Sequence, residues 1–275
     1  MKKIGFVDYY LSEWHANNYP AWIKEANPDY EIAYAWAEID VSPRDGVTTA
    51  EWCEKFGVMP CATLEELCEK SDVILMLAPS DPDRHLAYAK VVLPYGKRTY
   101  IDKTFSPNFA EAKEIFALAE QYHTPFFSTS ALRFAEELDA YGDCKMMMTT
   151  GGGRDVAEYI VHQVEMVVKK LGGGACATCA SRFADGYIFR IRYDDEREAM
   201  ITFDPSISFF VTMGDGKKAL TTKVSSPFFK HLMADIVRFY EEGTISFDPA
   251  ETLEVMRVRE GLLKATKSLD AWIEI

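Results

Sequence analysis

The stretch Gly96-Lys97-Arg98-Thr99-Tyr100-Ile101-Asp102-Lys103-Thr104-Phe105-Ser106-Pro107 decides the fold, because a β-prone run gives way here to polar residues and then to a helix start. Thr99 to Ile101 is the β-prone run, and Ser106-Pro107 supplies a helix N-cap and a first helical residue. Lys103 therefore follows the end of a strand and precedes a helix. Ligands bind at this edge of an open parallel sheet. A lysine at such a position is, by itself, more typical of a solvated loop than of a ligand site.

The same pattern of a short strand followed by a helix repeats through the first half of the chain. Strands are predicted at Ile4–Val7, Glu31–Ile39 and Val73–Leu77, and the last of these is apolar throughout, which is typical of a strand covered on both faces. Strands that alternate with helices predict βαβ units and a parallel sheet. Residues 1–124 are therefore predicted to form a Rossmann-like, doubly wound domain.

The pattern changes to alternating polar and apolar residues in the second half, residues 125–275. Apolar side chains alternate along 187–193, which places Arg190 and Arg192 on the opposite face of a strand. Asp185-Gly186, just before this strand, is a typical two-residue hairpin signal. The second half therefore predicts an α+β domain with an open, mainly antiparallel sheet.

Composition and charge limit the classes of function. The chain has 275 residues, of which 48% are hydrophobic and 27% are charged, as in an ordinary globular protein. Its net charge of -13 argues against binding to a nucleic-acid backbone. No apolar run reaches the roughly 18 residues of a membrane span. Because Met1-Lys2-Lys3 leads directly into a strand and not into the apolar core of a signal peptide, we expect a cytoplasmic protein.

The six cysteines are expected to be reduced thiols, because they lack the dense spacing of a disulfide-rich secreted domain. Cys176-Ala177-Thr178-Cys179 has the spacing of a metal or redox motif. It lies in an Ala-rich predicted strand without a second pair or a neighbouring histidine, which favours a packed pair. No metal site is predicted.

Several motifs between residues 60 and 135 resemble the Gfo/Idh/MocA family of NAD(P)-dependent oxidoreductases. The motifs are, in chain order, Ser71–Pro79, His85, Gly96-Lys97, Asp102-Lys103-Thr104 and Arg133-Phe134. The family's E-K-P segment is D-K-T in this chain. The resemblance implies an oxidoreductase that acts on a CH-OH group of a sugar, cyclitol or related polyol with NAD or NADP. It also implies cofactor contacts from Ala78, Pro79 and His85.

The loop after the first strand departs from the family pattern. Asp8-Tyr9-Tyr10-Leu11-Ser12-Glu13 stands where the family carries a Gly-rich turn that lets a diphosphate approach the helix amides. Tyr10, Ser12 and Glu13 are the predicted cofactor contacts of this loop. Its two carboxylates and bulky rings predict that a dinucleotide binds weakly, in a shifted pose, or not at all.

Two further positions near this loop have alternative interpretations. Glu38 is positioned to accept the adenosine ribose hydroxyls of NAD, and an acid there disfavours the additional phosphate of NADP. It is equally typical of a strand-end carboxylate in solvent. Trp14 and His15 line the crevice or pack the first helix, and we favour packing.

A helix is predicted over residues 155–171, after Gly151-Gly152-Gly153, which predicts a flexible break. Glu158 and His162 are four residues apart and therefore share one helical face. Family members often carry an acid and a histidine after such a glycine triplet. The alternative is an ordinary amphipathic helix with Glu158, His162 and Glu165 on its solvated side.

The predicted chemistry is oxidation of an alcohol or reduction of a carbonyl. Lys103 would stabilise the alkoxide as it develops, and His162 would take the hydroxyl proton. Glu158 would hold and polarise His162. Arg133 and Tyr159 are the predicted substrate contacts. This hypothesis requires the Lys103 amine and the His162 imidazole to act on one reacting oxygen.

Two other functions stay open at this point. A non-redox family member, serving as a sugar-sensing or partner-binding protein, is favoured by the glycine-poor loop. A cofactor-independent lyase or isomerase lies between the two hypotheses. The resemblance also implies a homodimer or homotetramer that assembles through the sheet of the second domain.

Overall fold

The computed structural model describes residues 1–275, which divide into two compact units. The predicted boundary between residues 124 and 125 lies near the first point at which the chain leaves the first unit. One later segment differs from the prediction, because it belongs to the first unit and not to the second. The first unit consists of Met1–Thr129 and Leu232–Pro249, and the second of Ser130–His231 and Ala250–Ile275.

Aromatic packing and a hydrogen bond from a side chain to the backbone hold the returning segment in the first unit. The ring centroids of Phe239 and Phe127 are 5.0 Å apart. The Tyr240 hydroxyl donates to the Ile74 carbonyl at 2.7 Å, and Tyr240 is 3% exposed. The segment therefore covers the strands that carry Ile74 and Phe127.

Six parallel strands form the sheet of the first unit in the order β3-β2-β1-β4-β5-β6. The sheet grows in both directions from β1, so the predicted Rossmann-like, doubly wound fold is confirmed. All four residues of β4 are buried, as expected of a strand covered on both faces. The strands are β1 (Lys2–Asp8), β2 (Tyr30–Ala37), β3 (Met59–Pro60), β4 (Val73–Met76), β5 (Thr99–Ile101) and β6 (Phe126–Phe127).

Side-chain caps set the starts of most helices in the first unit. Thr48 and Glu51 form a complete capping box on α2, and Thr63 caps α3. The prediction was wrong for α5, where Asn108 and not Ser106 is the N-cap. The Ser106 hydroxyl instead donates to the Asn108 carbonyl at 2.8 Å. The helices are α1 (Trp14–Ala26), α2 (Thr49–Phe56), α3 (Leu64–Lys70), α4 (His85–Val92) and α5 (Phe109–Tyr122).

Seven strands form the sheet of the second unit in the order β12-β11-β7-β10-β9-β8-β13. Only β7 and β10 pair in parallel, which confirms the prediction of a mainly antiparallel sheet. The strands are β7 (Met146–Gly151), β8 (Ala175–Phe183), β9 (Gly186–Tyr193), β10 (Glu198–Phe203), β11 (Phe210–Gly214), β12 (Ala219–Lys223) and β13 (Trp272–Glu274).

The β8–β9 hairpin turns one residue earlier than its sequence suggested. Phe183 pairs with Gly186, so Ala184 and Asp185 form the loop and Gly186 lies in β9. A Cβ atom at Gly186 would lie 1.8 Å from the Phe203 carbonyl oxygen. The glycine is therefore needed for close approach of β9 to β10.

The long helix α6 (Val156–Leu171) matches the helix predicted over residues 155–171 to within one residue, because Asp155 is its N-cap. It packs against α8 (Ala250–Ala265) and the sheet. The remaining helix is α7 (Phe228–Glu242), whose residues from Leu232 onward belong to the first unit. None of the helices combines the length and the apolar character that crossing a membrane requires.

Candidate active site

Lys103 lies where the sequence predicted, after β5 and before α5, at the carboxyl edge of the parallel sheet. Its side chain is half-buried. The acidic residue before it, Asp102, is 1% exposed. A positive charge at this edge, beside a buried carboxylate, is suited to hold an oxygen that becomes negative during a reaction. The catalytic role of Lys103 stays a prediction.

His15 pairs with Asp102, although the sequence interpretation favoured simple packing for this histidine. The His15 Nδ1 atom is 2.5 Å from Asp102 Oδ2, and the Tyr100 hydroxyl donates to Asp102 Oδ1 at 3.1 Å. Burial alone raises the pKa of Asp102, but His15 and Lys103 outweigh burial and lower that pKa. The carboxylate therefore stays ionised. No sequence pattern indicates that His15 pairs with Asp102, because the two residues are 87 positions apart.

The loop between β1 and α1 is closed by its own carboxyl groups. Asp8 Oδ1 accepts from the amides of Tyr9 at 2.7 Å and of Ala78 at 3.0 Å, and Asp8 is 1% exposed. Glu13 is the N-cap of α1, and its carboxylate accepts from the amides of His15 and Ala16. The two acids of this loop therefore satisfy backbone donors that a Gly-rich turn leaves open.

Of the other predicted contacts of this loop, Ser12 is already hydrogen-bonded and Tyr10 is partly buried. The Ser12 hydroxyl donates to Asp45 Oδ2 at 2.8 Å, and Ser12 is 7% exposed. Tyr10 is half-buried, and burial together with Asp81 raises the pKa of its hydroxyl. Tyr10 therefore stays neutral. Cofactor binding by these side chains stays a prediction.

Glu38 follows β2 and has two partners, so it is more than a strand-end carboxylate in solvent. The Tyr88 hydroxyl donates to its Oε2 atom at 2.7 Å, and Arg84 Nη1 lies 3.2 Å from its Oε1 atom. The Arg84 guanidinium also lies over the Tyr9 ring, 4.9 Å from the ring centroid. A ribose hydroxyl would have to share this carboxylate with Tyr88 and Arg84.

The turn after β4 contains the predicted contacts Ala78, Pro79 and His85. Ala78 has φ of 61°, and Pro79 follows it in the same turn. His85 is fully buried, with Nδ1 3.0 Å from the Phe105 carbonyl and Nε2 against the Leu77 carbonyl. Burial lowers the pKa of His85. Its ring therefore braces the end of β4 against the loop that follows Lys103.

In the second unit, His162 lies on α6 beside a hydroxyl partner and two aromatic rings. Its Nδ1 atom is 2.7 Å from the Ser130 hydroxyl. The ring centroids of Tyr159 and Phe209 lie 5.8 and 6.3 Å from that of His162. Sequence reasoning missed Ser130, because nothing in its neighbourhood marks it as a partner of α6. The Ser130 contact at Nδ1 therefore orients the imidazole, which is a side chain that exchanges protons near neutral pH.

Glu158 lies one turn before His162 on α6, and its Oε2 atom is 2.6 Å from Arg154 Nη2. The predicted pairing of Glu158 with His162 stays a prediction. The glycine triplet before this helix is closely packed and not the predicted flexible break. A Cβ atom at Gly153 would lie 2.2 Å from the Tyr159 ring, and one at Gly151 would lie 2.2 Å from the Phe209 ring. The triplet therefore lets the rings around His162 pack against the backbone.

Arg133, a predicted substrate contact, lies in a buried ion-pair cluster. Its Nε atom is 2.5 Å from Glu165 Oε1, and its Nη2 atom is 2.8 Å from Glu251 Oε2. The side chains of Arg133 and Glu165 are only 5% and 4% exposed. Glu165 thus lies inside the unit and not on a solvated helix face. These contacts indicate a structural role for Arg133, and substrate contact stays a prediction.

The two cysteines with motif spacing lie on β8, and all six cysteines are free thiols. Arg190 Nη2 lies 3.0 Å from the Cys179 sulfur, and Cys179 is fully buried. Burial of Cys179 within a strand agrees with the packed interpretation of this motif.

Comparison with known proteins supports the fold over nearly its whole length. A putative myo-inositol dehydrogenase from Sinorhizobium meliloti 1021 matches with a TM-score of 0.80 at 11% identity and covers 100% of both chains. The structure of GenD2 from gentamicin A biosynthesis, in complex with NAD, matches with a TM-score of 0.82 at 12% identity and covers 100% of this chain and 97% of that chain. Both matches extend over nearly the full length of each chain, so the dehydrogenase fold implied by the resemblance is confirmed.

Sequence comparison reaches a much shorter part of the chain. An uncharacterized oxidoreductase, YhhX, from Escherichia coli strain K12 is 42% identical over 57 residues, which are 21% of this chain. The match spans only 16% of the length of that protein. No protein-family model matches the sequence.

Proposed function

We propose that this protein is a Gfo/Idh/MocA-family oxidoreductase that acts on a CH-OH group of a sugar, cyclitol or related polyol. The observation that carries the proposal is Lys103, half-buried at the carboxyl edge of the six-stranded sheet. The fold is shared along its full length with the putative myo-inositol dehydrogenase from Sinorhizobium meliloti. Ligands of open α/β sheets bind at this edge.

Lys103 and His162 have the chemistry that the reaction needs. The Lys103 ammonium donates to the reacting oxygen and stabilises the negative charge that develops there. His162 accepts the hydroxyl proton through Nε2, while Ser130 holds Nδ1. Glu158 and Tyr159 lie within one turn of His162 on α6, where they contact the substrate or orient the imidazole.

NAD or NADP is the proposed cofactor, and it would accept the hydride when the alcohol is oxidised. The NAD complex of GenD2, which has the same fold, supports this assignment. The usual diphosphate position does not fit as it stands, because Glu13 already occupies the first amides of α1. Glu38 is the candidate for the adenosine ribose, in competition with its partners Tyr88 and Arg84.

A non-redox function is the second candidate, and the closed β1–α1 loop favours it. Two carboxyl groups, Asp8 and Glu13, fill the place of the Gly-rich turn. A lyase, an isomerase or a sugar-sensing protein needs no dinucleotide at this position. Absence of any saturable fluorescence change with NADH and NADPH at millimolar concentration would favour this candidate.

The outer face of the second sheet is the proposed subunit contact of a homodimer or homotetramer. A groove of about 360 Å³ crosses this face, and Met148, Met200 and Trp272 line it together with Arg190 and Arg192. Trp272 is 39% exposed. Apolar and aromatic side chains with arginines are typical of protein interfaces. Light scattering of the purified protein measures the oligomeric state directly.

The proposed activity is tested by following NAD(P)H absorbance with a panel of cyclitols and sugars. For the best substrate we expect Lys103→Met to lower kcat by about a hundredfold or more, because the alkoxide loses its charge-stabilising donor. Lys113→Met, which removes an exposed lysine on α5, is the matched control and should retain turnover. Undiminished turnover by the Lys103 variant would reject the assignment of Lys103.

A further inference from the structure

The N-terminus of α1 follows the carboxyl end of β1, at the edge of the sheet where this fold binds negatively charged ligands. Free amides at a helix N-terminus attract anions, and the macrodipole adds to that attraction. In dinucleotide-binding units, the diphosphate takes this position. What occupies the amides of α1 in this chain therefore determines whether a diphosphate has a place to bind.

Glu13 occupies these amides from within the chain. Its backbone is extended, with φ of -125° and ψ of 173°, which turns the side chain back over the first turn of α1. One carboxylate oxygen accepts from the His15 amide at 2.8 Å, and the other accepts from the Ala16 amide. Glu13 is only 5% exposed. A carboxylate thus sits, desolvated and bonded, where a diphosphate oxygen would have to sit.

The surroundings of Glu13 make a second anion still less favourable. Burial raises the pKa of Glu13, as does the buried Asp102 carboxylate, and the His15 side chain lowers it, whereas Asp8 is a further buried acid of the same loop. His15 is already paired with Asp102 at 2.5 Å. In addition to burial, the negative charge of Glu13 raises the pKa values of the Tyr10 and Tyr19 hydroxyls. A diphosphate at the α1 amides would therefore meet the Glu13 carboxylate, while His15 is already paired with Asp102, Lys103 acts on Asp102 and Arg44 acts on Tyr10.

We infer that Glu13 is an internal competitor for the diphosphate site and sets the affinity of this chain for dinucleotides. The inference rests on the proposed function and deepens it, because it concerns the regulation of the same site. A dinucleotide binds in the usual pose only when the Glu13 carboxylate leaves the α1 amides. The free energy needed to release the Glu13 carboxylate from the α1 amides therefore weakens dinucleotide binding by the same amount.

The test is equilibrium titration of the full chain with NADH and NADPH, followed by fluorescence. Glu13→Ser removes the carboxylate but keeps a good N-cap residue, so α1 retains its start. Asp155→Ser is the matched control, because Asp155 is also an acidic N-cap, on α6, and accepts from the amides of Ala157 and Glu158. Both variants change the net charge equally. Thermal melting confirms that each variant is folded.

We expect Glu13→Ser to bind NADH or NADPH about tenfold more tightly than the parent chain, and Asp155→Ser to bind like the parent. Should Glu13→Ser fail to fold, Glu13→Gln decides, since it keeps the shape and removes the charge. Equal affinity of the parent and the folded Glu13 variant, or absence of binding by both, would overturn the inference. Turnover is measured separately from binding. If the protein turns over a substrate but the Glu13 variant binds the dinucleotide no more tightly than the parent, only the inference about Glu13 is refuted. If the variant binds more tightly but neither protein shows turnover, only the proposed function is refuted.

Discussion

Asp8 combines nearly complete burial with an incomplete set of partners. Its Oδ1 atom accepts from two amides, whereas its Oδ2 atom is buried without a hydrogen-bond partner. Burial, and then the negative charge of Glu13, raises the pKa of Asp8 well above its usual value. A neutral, protonated Asp8 is therefore the stable form in the folded protein at mildly acidic pH.

This raised pKa makes stability depend on pH. The folded state keeps the Asp8 proton at pH values where the unfolded chain has lost it, so the free energy of unfolding falls as pH rises from the unfolded pKa to the raised one. Each unit of the shift corresponds to about 1.4 kcal/mol. Asp8→Asn keeps the accepting oxygen and removes the titration.

We expect Asp8→Asn to melt at a higher temperature than the parent at about pH 8, with the difference shrinking toward about pH 4.5. Thermal unfolding of both proteins across this range measures the effect. Asp83→Asn, at an exposed acid, serves as the control and should show no such trend. A melting difference that is independent of pH would contradict the proposed titration of Asp8.

At the scale of elements, the Arg133 cluster joins three parts of the second unit. Arg133 lies on the short turn Ala131–Phe134, Glu165 lies on α6, and Glu251 lies on α8. The cluster is buried, so removal of one partner leaves a charge without compensation. Breaking it should loosen the turn from both helices.

We expect Arg133→Met to lower the free energy of unfolding by about 3 to 5 kcal/mol, measured by urea denaturation. The double variant Arg133→Met/Glu165→Leu should regain part of this loss, because it removes one of the two uncompensated carboxylates. A single variant as stable as the parent would show that the cluster does not hold these elements together.

The positions of elements were predictable from sequence, and their fine boundaries were less so. The apolar run at β4 correctly located a strand, and the helix predicted over residues 155–171 matches α6 to within one residue. The start of α5 was misplaced because Ser106 and Asn108 are both good capping residues. Which of the two caps α5 depends on the conformation of the loop after Lys103, where the Ser106 hydroxyl donates to the Asn108 carbonyl.

The pairing of charged side chains was largely beyond sequence reasoning. His15 and Asp102 are 87 positions apart, and Arg133 and Glu165 are 32 apart. Helical spacing predicts neighbours only within one element. The Glu13 cap, by contrast, is local, and its acidic character in place of a glycine was visible in the sequence.

At the scale of the whole molecule, both folds were predicted, but the path of the chain between them was not. Alternation of strands and helices predicted the parallel sheet, and period-two alternation predicted the second sheet. The amphipathic pattern of α7 does not tell which sheet it covers. Leu232–Pro249 therefore returns to the first unit without any signal in the sequence.

The proposed reaction is oxidation of a CH-OH group with transfer of the hydride to a nicotinamide cofactor. Carbon-deuterated cyclitols and sugars, incubated with the protein and NAD or NADP, test this claim most directly. We expect mass spectrometry to detect one deuterium in the reduced dinucleotide with the parent chain and none with Lys103→Met. Deuterium lost to solvent with none in the dinucleotide, or retained entirely in the substrate across the panel, would contradict the claim.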